Sequence, residues 1–140
     1  MKKLLSIFIV PLFCFGAEVQ KDDVIESLVT VGSGLNTIIT LTVADDEVMD
    51  IDVKCTAHAD DGSEGGSFRH VATYRKDGAA ANVQVGFTDV VANQDCGTGT
   101  NTCEVKSFVS GTADIIVQVD GSSGSNINWD CMVTISRRAA

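Results

Sequence analysis

From residue 36 onward the chain alternates apolar and polar residues with a period of two. In residues 47–58, Ile51, Val53, Cys55 and Ala57 fall on one side, and Asp50, Asp52, Lys54, Thr56 and His58 on the other. Residues 126–136 repeat the pattern, with Ile127, Trp129, Cys131, Val133 and Ile135 opposed by Asn128, Asp130, Met132 and Thr134. Successive side chains of a strand point to opposite faces, so each stretch predicts a strand with one dry face. Ile39, Leu41 and Val43 alternate with threonines, and Phe68, His70, Ala72 and Tyr74 alternate with Arg69, Thr73 and Arg75. Val83, Val85 and Phe87 predict a short strand; residues 105–109 and Ile115, Val117 and Val119 predict two more. Residues 24–31 read as a strand as well. The β-branched residues that dominate these stretches suit a pleated, half-buried surface.

The intervals carry turn chemistry: Gly32-Ser33-Gly34, Asp45-Asp46, residues 60–66, Asp77-Gly78, residues 93–102, Ser110-Gly111 and residues 120–125. An Asp-Gly pair between two strands is a strong hairpin signal. Seven to eight strands joined by short turns predict an all-β fold, an antiparallel β-sandwich of jelly-roll-like form. No internal repeat or long linker interrupts it. With 140 residues, 44% of them hydrophobic and 21% charged, the chain can bury a core of its own.

The first residues read as an address. Met1-Lys2-Lys3 precedes a nearly unbroken apolar run over residues 4–15, then Gly16 and Ala17. A basic start, a short apolar run and small residues at its end are the signature of a secretory signal peptide, here residues 1–16. A retained N-terminal anchor is the alternative. The run falls short of the roughly 20 apolar residues that span a bilayer, so no membrane span is expected after cleavage. Pro11, Leu12 and Phe13 before Cys14 do not make a lipobox. The expected organisation is therefore a signal peptide, an N-terminal segment over 17–35 and a β-sandwich over 36–137. The expected location is secreted, periplasmic or cell-surface.

Charge narrows the partners. The net charge is −9, and removing residues 1–16 takes two lysines and no acid, leaving −11. Such a surface repels phosphate backbones, which argues against nucleic acid. It favours solubility and leaves protein partners, self-assembly into a homo-oligomer or a cell-surface glycan as the expected interactions.

After cleavage four cysteines remain: Cys55, Cys96, Cys103 and Cys131. An even number in an exported chain reads as disulfides. Four cysteines allow three pairings. Cys96 and Cys103 bracket a loop of small residues, Gly97-Thr-Gly-Thr-Asn-Thr102, and favour a local bond. Cys55 and Cys131 then remain, both mid-strand and both on the apolar face. No CxxC spacing or accompanying histidine pair supports a metal site.

Other chemistry is thin. Asp60, Asp61 and Glu64 lie in an acidic glycine-rich loop of the composition that calcium binds, though not at EF-hand spacing. This loop is the candidate calcium or ligand loop, and Asp45-Asp46-Glu47 is a weaker one. His70 reads as a packed core histidine and Trp129, in phase with Cys131, as core. No serine sits in a nucleophile elbow, so no catalytic residue is assigned and no enzymatic activity is expected.

Residues 41–48 (LTVADDEV), the Asp61-Gly62 turn, residues 68–78 with Ala72, Tyr74 and Arg75, and residues 115–121 (IIVQVDG) followed by Ile127-Asn128-Trp129 together resemble a β-domain of tailed-phage virion proteins, found in tail fibres and related structural proteins. The resemblance covers about residues 41–135. It implies a non-catalytic β-sandwich used in assembly or surface attachment, with the virion as the alternative location, and it carries over no catalytic residue. The signal peptide and the cysteine pairs depart from it, because virion proteins assemble in the host cytoplasm. A small secreted module that binds glycan or calcium is the alternative function. Intact mass of the exported protein should show loss of residues 1–16, and reduction should add the four hydrogens of two disulfides. A mass that retains residue 1, or one unchanged by reductant, contradicts this reading.

Overall fold

The computed structural model describes residues 20–31, 34–62, 65–81, 83–95, 103–111, 114–121 and 126–139. These residues form eight strands: β1 (Gln20–Thr30), β2 (Leu35–Thr42), β3 (Glu47–Ala59), β4 (Gly65–Lys76), β5 (Val83–Asp95), β6 (Glu104–Ser110), β7 (Asp114–Asp120) and β8 (Ile127–Ala139). They make two antiparallel sheets, a five-stranded one in the order β1-β8-β3-β4-β5 and a three-stranded one in the order β2-β7-β6. The first strand pairs with the last and the second with the seventh, the nested wrapping expected of a jelly-roll-like sandwich. β4 and β5 depart from it by staying in the sheet of β3.

Period two decides which side of each strand is dry. Met49, Ile51, Val53, Cys55, Ala57 and Ala59 of β3 are buried, as are Ile127, Trp129, Cys131, Val133 and Ile135 of β8. β4 gives Phe68, His70, Ala72 and Tyr74, and β7 gives Ile115, Val117 and Val119. The two inner faces close on each other around this core. Trp129 is 1% exposed and packs on Phe68 with ring centroids 5.2 Å apart. Burial takes its indole N–H out of water, and an unpaired donor there is costly. Thr30 Oγ1 accepts that N–H at 3.0 Å, which ties β1 to the core.

The disulfide between Cys55 and Cys131 joins neighbouring strands of the large sheet. The two residues are register partners in the β3–β8 ladder, with Cα atoms 4.1 Å apart. Cys103 is also disulfide-bonded; Cys96, its expected partner, lies outside the described residues, as does the proposed signal peptide.

Three details differ from the sequence reading. Ile38 is buried and Ile39 only half so, because a register shift between Thr37 and Ile39 inserts an extra residue into β2. A bulge of this kind adds Ile38 as an extra buried residue, while Ile39 stays in step with Leu41 and packs, partly buried, against the core. β5 is no short strand but runs thirteen residues to Asp95, through positions 93–95 that had read as a turn. Pairing with β4 from Arg75↔Val83 to Gly65↔Asp95 sustains it. Its irregularity falls between the Val85 and Asp89 pairs, around Gly86, where the alternation breaks. The segment assigned ahead of the sandwich supplies β1, paired with β8 over eleven residues.

The acidic turn after β2 has structural partners. Asp46 adopts φ 56°, a left-handed conformation that Asp tolerates better than most residues, and its carboxylate accepts the Gly78 N–H at 2.9 Å. Gly78 (φ +54°) turns the β4–β5 hairpin as the Asp-Gly pair predicts. Asp45 pairs with Lys76. Arg137 donates to Glu47 at 3.0 Å and to the Thr42 carbonyl at 2.9 Å, clamping the crossing from one sheet to the other.

Replacing Thr30 with Val keeps its volume but strands the indole N–H of Trp129. Thr30→Val should cost about 1–3 kcal/mol in a urea melt, and Trp129→Ala about 3–5 kcal/mol. A neutral Thr30→Val would show that the indole is satisfied elsewhere.

Candidate functional site

The polar side of the β3 and β8 alternation faces outward and floors the most structured part of the surface. Neighbouring strands place Ile25 and Ser27 of β1, Asp130 and Met132 of β8, Lys54 and Thr56 of β3, and Ser67 and Arg69 of β4 side by side. They line a trough of about 480 Å³. A second hollow of about 310 Å³ shares Ser27 and Asp130 and extends to His58, Asn128 and Val29. Volumes of this size suit small-molecule or oligomeric ligands.

Register explains the composition. Ile25 faces Met132 across β1 and β8, and the two remain 77% and 37% exposed, an apolar spot on a polar wall. Ser27 donates to Asp130 at 2.6 Å. Lys54 and Arg69 are register partners across β3 and β4, and like charges in that position repel. Asp52 resolves the conflict. Its carboxylate accepts Arg69 Nε at 3.0 Å and a second guanidinium nitrogen at 2.8 Å, while Lys54 stands 4.0 Å away. The Arg69 hydrogen bonds hold the Asp52 carboxyl below its ordinary pKa, with burial opposing and both cations adding to the effect. The bidentate fork also fixes the guanidinium plane. None of these residues stood out in the sequence; the only signal available was their shared outward phase on adjacent strands.

The candidate ligand loop is built differently from its composition. Asp60 accepts a hydrogen bond from the Asn128 amide and donates its own N–H to the Asn126 carbonyl at 3.1 Å. The Gly62 N–H closes the turn on the Ala59 carbonyl at 3.0 Å. Asp61 also has an interaction partner, and Glu64 lies outside the described residues. Among the described residues no group of three His, Cys, Asp or Glu side chains converges as a metal would require. Lys106 is engaged by Glu104 at 2.7 Å and Asp120 at 3.2 Å; the Glu104 hydrogen bond leads in raising its pKa.

The sequence reading of His70 as a core residue matches its 2% exposure. It reaches across the sandwich: Nε2 lies 2.6 Å from Ser107 Oγ of β6, and the Tyr74 hydroxyl meets the same oxygen at 2.7 Å. This trio is a partly buried polar seam between the two sheets. Among the described residues His70 Nδ1 has no partner. Burial pushes the His70 pKa down, and the negative charge of Glu104 opposes it in part. Burial also pushes the Tyr74 hydroxyl up, with the Ser107 hydrogen bond opposing.

No protein-family model matches the chain, and no curated protein matches it. Two solved structures are similar. One is the tailspike protein of Acinetobacter baumannii phage AM24, at 9% identity and a TM-score of 0.43, covering 87% of this chain and 26% of that one. The other is the tailspike protein gp49 of Acinetobacter baumannii bacteriophage Fri1, described as a capsular polysaccharide depolymerase. It has 11% identity and a TM-score of 0.39, and the match covers 87% of this chain and 18% of that one. The chain thus spans 26% of the first and 18% of the second. Both are described as phage tailspike proteins.

His70 sets a pH dependence whose sign is fixed. Its folded pKa is depressed, so as pH falls the unfolded chain takes up the proton first. Its contribution is complete above about pH 6.5 and is lost below that. Asp52 acts in the same direction, but only on further acidification below the ordinary carboxylate range. The melting temperature should therefore fall between pH 7.5 and 5.5, and His70→Gln should flatten that slope even if it lowers the curve. An identical slope in wild type and variant would exclude His70 as its source.

Proposed function

We propose that the chain is a non-catalytic attachment module of an exported or virion-surface protein, and that it binds surface glycan in the outer trough of its five-stranded sheet. The observation that carries this reading is the trough itself. It is a sheet-borne depression where hydroxyls (Ser27, Thr56, Ser67) and charged groups (Lys54, Arg69, Asp130) surround the exposed Ile25 and Met132. A sugar chain offers both hydroxyls to hydrogen-bond and apolar C–H faces to cover such side chains. Ladders on both sides hold the β8, β3 and β4 backbones, so little ordering cost attends binding.

The test is an array of bacterial surface glycans probed with the full oxidised chain, followed by titration of any hit. Met132→Glu sits on the exposed face and should fold normally, yet it puts a charge on the apolar spot. It should weaken binding about tenfold or more, equivalent to about 1.4 kcal/mol. A blank array, or a hit that Met132→Glu and Lys54→Ala leave untouched, would remove the trough from consideration.

A further inference from the structure

β6 is lightly held. It is an edge strand of the small sheet, laddered to β7 on one side. Of its inward-facing residues Val105 is fully buried, while Ser107 and Val109 are half-buried. On β7 the corresponding set, Ile115, Val117 and Val119, is buried completely. Two hydrogen bonds reach β6 from the large sheet, those of His70 and Tyr74, and both end on one atom, Ser107 Oγ. The other end of this tie is fixed, because β4 is laddered to β3 and to β5. His70 is withdrawn from water, and among the described residues its Nδ1 has no partner. A neutral imidazole tolerates that: with its proton on Nε2 it donates to Ser107 and leaves Nδ1 an unused acceptor. An imidazolium carries N–H on both nitrogens, and a buried Nδ1–H without an acceptor is costly.

We infer that His70 is an acid-sensitive latch: its protonation lifts β6 off the large sheet while the rest of the sandwich stays folded. The surroundings offer the cation no better exit. Glu104 of β6 favours the charged ring, but its carboxylate is engaged by Lys106 at 2.7 Å. Tyr74, the inward neighbour on β4, is committed to Ser107. The register partners of His70 are Val53 on β3 and Val90 on β5. Water must therefore come to Nδ1, and the wall that can yield is β6, where half-buried Ser107 already stands beside solvent. Local openings of this kind are drawn from lightly packed elements. The opened form takes up the proton first, so the latch is intact above about pH 6.5 and weakens below it. This inference does not depend on the glycan reading, which uses the outer face of the large sheet.

Hydrogen exchange of the full oxidised chain, corrected for intrinsic rate, tests it at pH 7.5 and 5.5. An exposed imidazole titrating near pH 6.5 raises the opened population about tenfold between those values. The β6 amides laddered to β7 should therefore lose about tenfold in protection. They should do so through an opening that exceeds global unfolding and is insensitive to low urea, whereas the amides of β3 should follow global unfolding and its urea dependence. His70→Gln keeps a polar side chain that does not titrate and should abolish the change in β6. A second readout uses the unmodified chain and survives a folding failure of that variant. The ring resonance of His70, distinguished from that of exposed His58, should titrate below pH 6.5 in step with the loss of β6 protection. Equal protection of β6 and β3 at both pH values overturns the inference. So does a fall in β6 protection that His70→Gln retains, or a His70 ring that titrates at or above pH 6.5.

Discussion

Between Ile51 and Ala59 every second side chain of β3 is withdrawn from water, and β8 matches it pair for pair across the ladder. That shared phase is the constraint the rest of the structure obeys. It sets the floor on which β7 packs from the other sheet. It brings Cys55 opposite Cys131 and places Trp129 where Thr30 of β1 accepts its N–H. A slip of one residue between β3 and β8 would turn one strand's set over, sending either Val53 outward and Asp52 inward or Val133 outward and Thr134 inward. Backbone pairing alone is nearly indifferent to such a slip. Burial is not, and the disulfide records the register covalently.

The outer face inherits its chemistry from the same phase. Once the apolar set is committed inward, Lys54 and Arg69 must stand side by side outside, and Asp52 is the residue in position to separate their charges. The trough is thus a by-product of core register, refined by local electrostatics. The acidic turn after β2 tells a similar story. Asp45, Asp46 and Glu47 have the composition of a cation loop, yet each is taken by a structural partner, Lys76, the Gly78 amide and Arg137. Excess negative charge in this chain therefore has two fates: internal clamps at the sheet crossings, and solvated positions such as those on β1.

Much of the fold was legible because a two-residue period with β-branched residues admits few alternatives. The dry faces of β3, β4, β7 and β8, the Asp77-Gly78 hairpin and the Cys55–Cys131 pairing all follow from local pattern. What escaped was whatever depends on a neighbour. The bulge that buries Ile38 exists only against β7, and the length of β5 only against β4. The polar seam needed Ser107, an unremarkable serine until β6 is laid over His70 and Tyr74. The trough escaped for the same reason: its residues come from four strands and share no motif. Asp60, by contrast, was visible in sequence, but composition cannot reveal the hydrogen bond it accepts from Asn128.

The position of the disulfide has a mechanical side. Tension that enters β8 from its Ala139 end must break the ladder to β3 one rung at a time, starting at Glu47↔Ala139. Peeling of that kind meets little resistance per step, but it halts at the covalent rung between Cys55 and Cys131. Asp130, Trp129 and the rungs beyond them stay paired under a load that has already stripped the eight residues of β8 that follow Cys131. The disulfide is therefore a fixed stop, one residue short of Asp130, against unravelling of β8 from that end.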